Sequence, residues 1–201
     1  MAATWDETLE QHRDDQRAAI FAATLELVGE HGLAQVGMAE VARRTGVSRA
    51  TLYKYFGGVE EILAAYVVNE VTRERVRLTN EIEDHARAID KLQSAVEHMM
   101  GHFATSRHRS ATGLFNPYQF APSVAAEVGR AFGELFDMIE QLVGEAVDEG
   151  SLRGDVPVVV LAEMLRHLLS AGRALVVSDR VSASDASAAV LRQFVEGAGH
   201  R

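Results

Sequence analysis

The segment "TGVSRATLYKYFGG", residues 45–58, places cationic and phenolic side chains between two glycine positions in a chain of net charge −9. Gly46 interrupts a helical pattern, and Ser48 stands where an N-cap side chain would begin a new helix. Gly57–Gly58 follow Phe56 and end that helix. The pattern predicts one short helix, bounded by glycine turns and exposing basic and aromatic groups.

Immediately upstream, "MAEVARRT" follows Gly37 and predicts a second short helix. Small Ala42 and the turn residue Gly46 would let the two helices cross closely, as in a helix–turn–helix. The apolar residues expected in a shared core with the preceding helix are Val41, Val47, Leu52 and Phe56. The residues left for outward faces are Arg49, Ala50, Thr51, Tyr53, Lys54 and Tyr55.

The charge of this region is opposite to that of the whole chain. Residues 33–58 carry Arg43, Arg44, Arg49 and Lys54 against Glu40 alone, a net of +3, so the remaining residues sum to −12. Cationic and hydroxyl donors can bind DNA phosphates and base edges, and a small residue such as Ala50 allows close approach. The alternative is an ordinary solvated helix face. The coincidence of capping serine, turn glycine, cations and tyrosines favours DNA binding.

The rest of the chain has apolar residues at helical spacing and only three prolines. It predicts an all-α protein of about nine helices. The first helix is expected from about Asp14 to His31, ended by Gly32, and a long helix from Val59 to about Asp84. Later helices are expected over about 86–106, from Val124 to Gly150, and in two final apolar segments. Residues 1–13 are predicted to be a flexible extension, and residues 14–58 a three-helix domain.

Several classes of protein are disfavoured by composition. The chain has no cysteine, which removes disulfides, thiolate metal sites and cysteine nucleophiles. It lacks a long apolar run, a signal-peptide pattern, a glycine-rich phosphate loop and a nucleophile elbow. We therefore expect a cytoplasmic protein that is not an enzyme, needs no cofactor and does not enter a membrane.

Two histidines raise the possibility of a metal site. His98 and His102 are four residues apart, so one helix face could present both to a metal ion. No third ligand is obvious, although Glu97, His108 and His167 could approach. A structural or exposed role is favoured, and no metal site is predicted.

The segment "GMAEVARRTGVSRATLYKYFGGVEEIL", residues 37–63, resembles the DNA-binding segment of the TetR-like transcriptional regulators. The resemblance implies an N-terminal helix–turn–helix domain, followed over residues 59–201 by a helical effector-binding and dimerisation domain. It implies double-stranded operator DNA, a small-molecule effector and a second copy of the chain as partners. The residues predicted to bind DNA are Gly37, Met38, Ser48, Arg49, Ala50, Thr51, Tyr53, Lys54 and Tyr55.

Three positions depart from the family pattern. Gly37 stands where Ser or Thr often caps the second helix and binds a phosphate, and Val59 stands where a lysine is frequent. Gly57–Gly58 also predict a looser junction than usual. We therefore expect modest phosphate affinity, with helix N-termini supplying more of it.

The resemblance further implies an effector pocket among the middle helices. Candidate lining residues, which could equally be ordinary core, are Met99, Met100, Phe103, Phe115, Tyr118, Phe120, Phe132, Phe136 and His167. The last two helices are the candidate dimer interface, because they are more apolar than one buried face needs. The predicted interface residues are Leu161, Leu165, Leu168, Leu169, Gly172, Ala189 and Phe194. The alternative is a monomer whose final hairpin covers its own core.

Together these features predict a homodimeric, ligand-responsive transcriptional regulator, a repressor released from a palindromic operator by its effector. The rival hypothesis is an all-helical small-molecule carrier or enzyme whose N-terminal segment is only structural. Specific operator binding with a strong salt dependence would separate the two.

Overall fold

A computed structural model of the chain describes residues 5–105 and 121–198, with side chains over 13–105 and 121–197. These residues form eight α-helices, one short 3₁₀ helix at Leu33–Gln35 and no strand, which confirms the all-α prediction. The helices are α1 (Trp5–His31), α2 (Met38–Thr45), α3 (Arg49–Tyr55), α4 (Val59–Ile82), α5 (Ala88–Phe103), α6 (Pro122–Asp148), α7 (Val158–Val177) and α8 (Ala183–Ala198). The first helix begins at Trp5, earlier than the expected start near Asp14. None of the described helices is long and apolar enough to cross a membrane.

The described residues divide into two compact units. The first contains residues 5–69 and 121–128, and the second contains residues 70–105 and 129–198. Because α4 and α6 cross these limits, each of them contributes residues to both units.

In the first unit, α1, α2 and α3 share an apolar core. Leu27, Val41 and Leu52 are completely buried, as the spacing of apolar residues predicted for the latter two. Phe21 of α1 packs against Phe56 after α3, with ring centroids 6.5 Å apart. Leu52 is the buried residue of α3, which packs on α2, so this side chain anchors the helix in the unit.

Glycines permit both of the sharp turns that build this unit. Gly32 ends α1 with φ 80°, and its N–H donates to the carbonyl of Val28 over 2.8 Å. Gly46 ends α2 in the left-handed conformation, with φ 72°. A residue with a β-carbon adopts this region only with strain, so the backbone conformation explains why glycine occupies both positions.

In the second unit, α5, α7 and α8 pack on one another around a single core. Gly172 of α7 allows the closest approach: a β-carbon there would lie 2.9 Å from Cε of Met100 and 3.2 Å from Cγ2 of Val190. The start of α5 is held by Glu149, whose two carboxylate oxygens each accept the N–H of Ala88 at 2.9 Å. That carboxylate satisfies an N–H that the helix itself leaves without a partner.

Candidate functional site

The helix α3 presents a polar and aromatic face to solvent. Arg49, Ala50 and Lys54 are exposed, and Thr51 is half-buried. The side chains of Tyr53 and Tyr55 are 52% and 59% exposed, whereas Leu52 between them is 0% exposed. The exposed residues and the buried Leu52 agree with the predicted outward and core positions, whereas Thr51, predicted outward, and Val47, predicted in the core, are both half-buried. The DNA contacts themselves stay a prediction.

Ser48 caps α3 as the sequence predicted. Its hydroxyl oxygen accepts the N–H of Thr51 at 3.0 Å and lies 2.7 Å from the Thr51 hydroxyl. The cap satisfies one of the free amides of the first turn and starts the helix at a defined residue. Both hydroxyls are therefore oriented by each other at the end of α3 that carries Arg49.

The cations of α2 and α3 have different electrostatic surroundings. Arg43 pairs with Glu40 at 3.0 Å, and Arg44 pairs with Glu30 at 3.0 Å and Glu26 at 3.4 Å. The Arg44 guanidinium lowers the pKa of the Glu30 carboxyl by a hydrogen bond and by its charge, and the pair raises the pKa of Arg44 in return.

On α3 the cations have no such partners. Neither Arg49 nor Lys54 forms an ion pair within the described residues, and the Lys54 ammonium lies 5.6 Å from the ring centroid of Tyr55. An arginine that is paired with a carboxylate must break that ion pair before it can bind a phosphate, which costs free energy. Arg49 and Lys54 have no such pair to break among the described residues. Of the cations on α2 and α3, those of α3 are thus the ones not engaged by carboxylates of the described residues.

Met38 was predicted to bind DNA and requires a correction. Its side chain is only 6% exposed, so it packs in the core of the first unit instead of contacting DNA. Gly37 before it is exposed and forms the N-cap of α2 without a side-chain bond, as the sequence predicted. Val59, which stands where the family often has lysine, is likewise buried.

The turn after α3 contains an interaction that sequence reasoning missed. The N–H of Gly57 donates to Oε2 of Glu61 over 2.7 Å. Glu61 is the third residue of α4, the position at which a carboxylate commonly reaches back to the chain before a helix. That spacing in the sequence was the signal for this contact. The hydrogen bond restrains the turn that the glycine pair was predicted to loosen.

An open cavity of about 950 Å³ in this unit is lined by Gly37, Tyr53, Gly57 and Glu61, among others.

The predicted effector residues that the structure describes occupy different positions in the second unit. Met99 and Met100 are buried in the core of the second unit, and Phe103 packs against that core. Phe132 and Phe136 stack with centroids 6.0 Å apart. His167 was predicted to line the pocket, and this prediction is corrected. The residue is exposed, and its Nδ1 lies 2.8 Å from the Glu163 carbonyl on the same helix. The remaining candidates, Phe115, Tyr118 and Phe120, lie outside the described residues.

The predicted dimer residues need a similar correction. Five of them are buried within their own chain, namely Leu161, Leu165, Leu169, Gly172 and Phe194. Leu168 is half-buried, and Ala189 is exposed. The apolar residues that α7 does leave exposed include Val159, Val160 and Met164. The sequence showed that α7 has more apolar surface than one face needs, but not which face turns inward.

His98 and His102 bind carboxylates of α4. Oε2 of Glu74 lies 3.2 Å from Nε2 of His98 and 3.1 Å from Nδ1 of His102, and Nδ1 of His98 contacts Glu81. Burial lowers the pKa of His102, although Glu74 and Glu70 oppose that shift. Among the described side chains, no group of three or more is arranged to hold a metal ion. The histidines join α5 to α4 within the second unit.

Comparison with known proteins identifies the N-terminal segment. Residues 20–66 match the model of the bacterial regulatory proteins of the tetR family. The fatty acid metabolism regulator protein of Bacillus subtilis strain 168 is 19% identical over 146 residues, which cover 73% of this chain and 75% of that protein. The transcriptional activator FasR of Mycolicibacterium smegmatis is 29% identical over 135 residues, which cover 65% of this chain and 60% of that protein.

The fold agrees with this match over nearly the whole chain. The transcriptional regulator FadR from Bacillus subtilis, solved in complex with stearoyl-CoA, superposes with a TM-score of 0.78 and 19% identity, covering 90% of this chain and 98% of that chain. The matched proteins are transcriptional regulators, a non-enzymatic class, in agreement with the prediction that the chain is not an enzyme. Residues 20–66 therefore belong to a tetR-family helix–turn–helix segment, and the all-helical fold of the chain is similar to that of solved transcriptional regulators.

Proposed function

We propose that the protein is a homodimeric repressor that binds a palindromic operator through α3 and leaves it when a small-molecule effector binds. The observation that supports this proposal best is the exposed face of α3. It combines two cations that lack ion-pair partners among the described residues with two exposed tyrosines, on a helix anchored by the buried Leu52. A protein with this function would act in the cytoplasm, where the DNA is.

The side chains of α3 have distinct proposed roles in the major groove. Arg49 and Lys54 donate hydrogen bonds to base edges or phosphates, and Ala50 leaves room for a thymine methyl group. Tyr53 and Tyr55 donate their phenolic hydroxyls to the DNA backbone or to base edges. Gly37, Ser48 and Thr51 contribute at the ends of the two short helices, where backbone N–H groups and hydroxyls can approach phosphates.

The short length of α3 supports dimerisation. Seven residues span about 10 Å at about 1.5 Å per residue, so one copy reads only a few base pairs. Two copies about 34–36 Å apart would read the two halves of a palindrome on one face of the duplex. We assign the contact between copies to the outer faces of α7 and α8, arranged as a four-helix bundle. These faces expose Val160, Met164, Ala171, Ala188 and Ala189.

The effector would act on the second unit, whose interior is apolar and contains the adaptable side chains Met99 and Met100. In the proposed scheme an effector binds better when α4 is tilted, and the tilt changes the separation of the two α3 helices. The coupling is reciprocal, so operator DNA must weaken effector binding by the same factor. Stearoyl-CoA, bound by the FadR protein of similar fold, is a reasonable first compound to test.

Selection of duplexes from a random-sequence pool by the purified protein tests the DNA-binding proposal. We expect enrichment of a palindrome and a linear fall of log affinity against log salt concentration. A protein that enriches no sequence at any salt concentration would be the carrier of the rival hypothesis instead.

A reporter gene placed behind the enriched duplex tests the repressor assignment. Expression of the protein should lower transcription. A rise in transcription would make the protein an activator, the role that the name of the relative FasR states for that protein.

A further inference from the structure

We infer that Glu61 is a positioning residue for DNA binding, because its carboxylate holds the turn that follows the recognition helix α3. This inference rests on the proposed function for its DNA part, whereas the tether itself can be measured without DNA. Glu61 contacts no DNA in this scheme and acts through the backbone of Gly57.

The contact is built into the local geometry. Phe56, the C-cap of α3, is buried, and its N–H bonds the carbonyl of Leu52 at 2.9 Å. The next N–H, that of Gly57, donates to Oε2 of Glu61 at 2.7 Å. A β-carbon at position 57 would stand 2.7 Å from Oε1 of Glu61, so glycine is the residue that admits the carboxylate this closely.

The tether opposes the freedom of the glycine pair. Two consecutive glycines have more accessible backbone conformations than any other pair, and a fixed hydrogen bond removes part of that freedom. The acceptor is charged and lies in the first turn of α4, where the helix dipole stabilises a negative charge. The bond therefore fixes the path of the backbone between the end of α3 and the start of α4, and with it the angle between the two helices.

The exposed groups nearest to this turn are the ones proposed to touch DNA. Tyr53, Lys54 and Tyr55 occupy the last turn of α3, directly before Phe56 and Gly57. Tyr53, Gly57 and Glu61 also line the same open cavity. A change in the turn would redirect these side chains while leaving the buried Leu52 in place.

Charge and tether predict opposite effects, which makes the inference testable. A carboxylate near a DNA phosphate repels it, so removing the charge alone should strengthen binding. Removing the tether should weaken binding to a specific site, because the side chains of α3 lose their fixed direction.

Glu60 supplies a matched control. It is the neighbouring residue in the same turn of α4 and carries the same charge, but its Oε2 accepts the N–H of Ala121 at 3.4 Å instead of that of Gly57. Glu60→Ala therefore removes one negative charge and leaves the Gly57 contact intact. Glu61→Gln removes the charge but keeps an oxygen acceptor of similar reach, whereas Glu61→Ala and Glu61→Asp lose the acceptor or shorten its reach.

The experiment compares these variants in two measurements on the full-length protein. Amide hydrogen exchange by NMR reports the Gly57 N–H without DNA. Affinity is measured for a duplex selected by the wild-type protein and for a scrambled duplex of the same composition. We expect Glu61→Ala and Glu61→Asp to speed Gly57 exchange and to lose roughly fivefold to tenfold in affinity for the selected duplex only. Glu61→Gln should retain wild-type protection of Gly57 and should bind both duplexes at least as tightly as the wild type. Glu60→Ala should do the same.

Distinct results would overturn each part. Wild-type exchange at Gly57 in Glu61→Ala would exclude the tether. Suppose that Glu61→Ala speeds Gly57 exchange but binds the selected duplex as tightly as Glu60→Ala does. That result would show that the tether does not position α3. A wild-type protein that selects no duplex would reject the proposed function, while the exchange measurement still reports the tether.

Discussion

Arg44 of α2 lies 3.0 Å from Glu30 of α1, whereas Lys54 of α3 has no ion-pair partner among the described residues. This difference predicts unequal roles for cations that the sequence places close together. Arg49→Ala and Lys54→Ala should each lower operator affinity about tenfold and reduce the salt slope by about one. Arg44→Ala should change affinity less. Filter binding at several salt concentrations measures both quantities, and equal losses in all three variants would contradict the assignment.

Because Arg49 and Lys54 are exposed, we expect their truncation to leave the stability of the fold unchanged. Truncation of Leu52 should lower the stability. Leu52 is 0% exposed, so Leu52→Ala leaves a cavity between α3 and the rest of its unit. Truncation of a buried leucine costs about 2–5 kcal/mol of unfolding free energy. Urea denaturation should show this loss for Leu52→Ala and almost none for Lys54→Ala. A stable Leu52→Ala protein would mean that α3 is not anchored by this side chain.

Two neighbouring residues of α7 can separate the proposed dimer surface from the core. Met164 is 53% exposed, and Leu165 is 0% exposed. Met164→Asp should yield a folded monomer, because a carboxylate in an apolar interface is left without a partner. Leu165→Ala should keep the dimer and lower its stability by about 2–5 kcal/mol. Light scattering after gel filtration gives the mass, and a dimeric Met164→Asp variant would place the interface elsewhere.

The local pattern of residues 45–58 was sufficient to predict α3, because its determinants lie within the segment. Ser48 caps the helix it precedes, and Gly46 adopts the left-handed conformation that its turn requires. The orientation of α7 was not predictable in this way. Its valines and leucines occur on several faces, so only packing against α5 and α8 determines that Leu165 is buried and Met164 exposed.

Contacts between distant parts of the chain were also beyond the sequence. The spacing of His98 and His102 showed that they share a helix face, but their partner Glu74 lies on the preceding helix. Glu149 caps α5 at Ala88 across a separation of 61 residues. Neither pairing has a local signature, because the partners meet only after the helices have packed.

The half-buried ring of His102 predicts a pH dependence of stability. Burial lowers its pKa from the ordinary value of 6.5, against the opposing charges of Glu74 and Glu70. The unfolded chain then takes up the proton first, so stability is full above about pH 6.5 and falls as the pH drops through the folded-state pKa. His102→Gln lacks this proton, and its urea midpoint should fall less than that of the wild type between about pH 7.5 and about pH 5.5. Parallel profiles for the two proteins would show that His102 titrates alike in the folded and unfolded states.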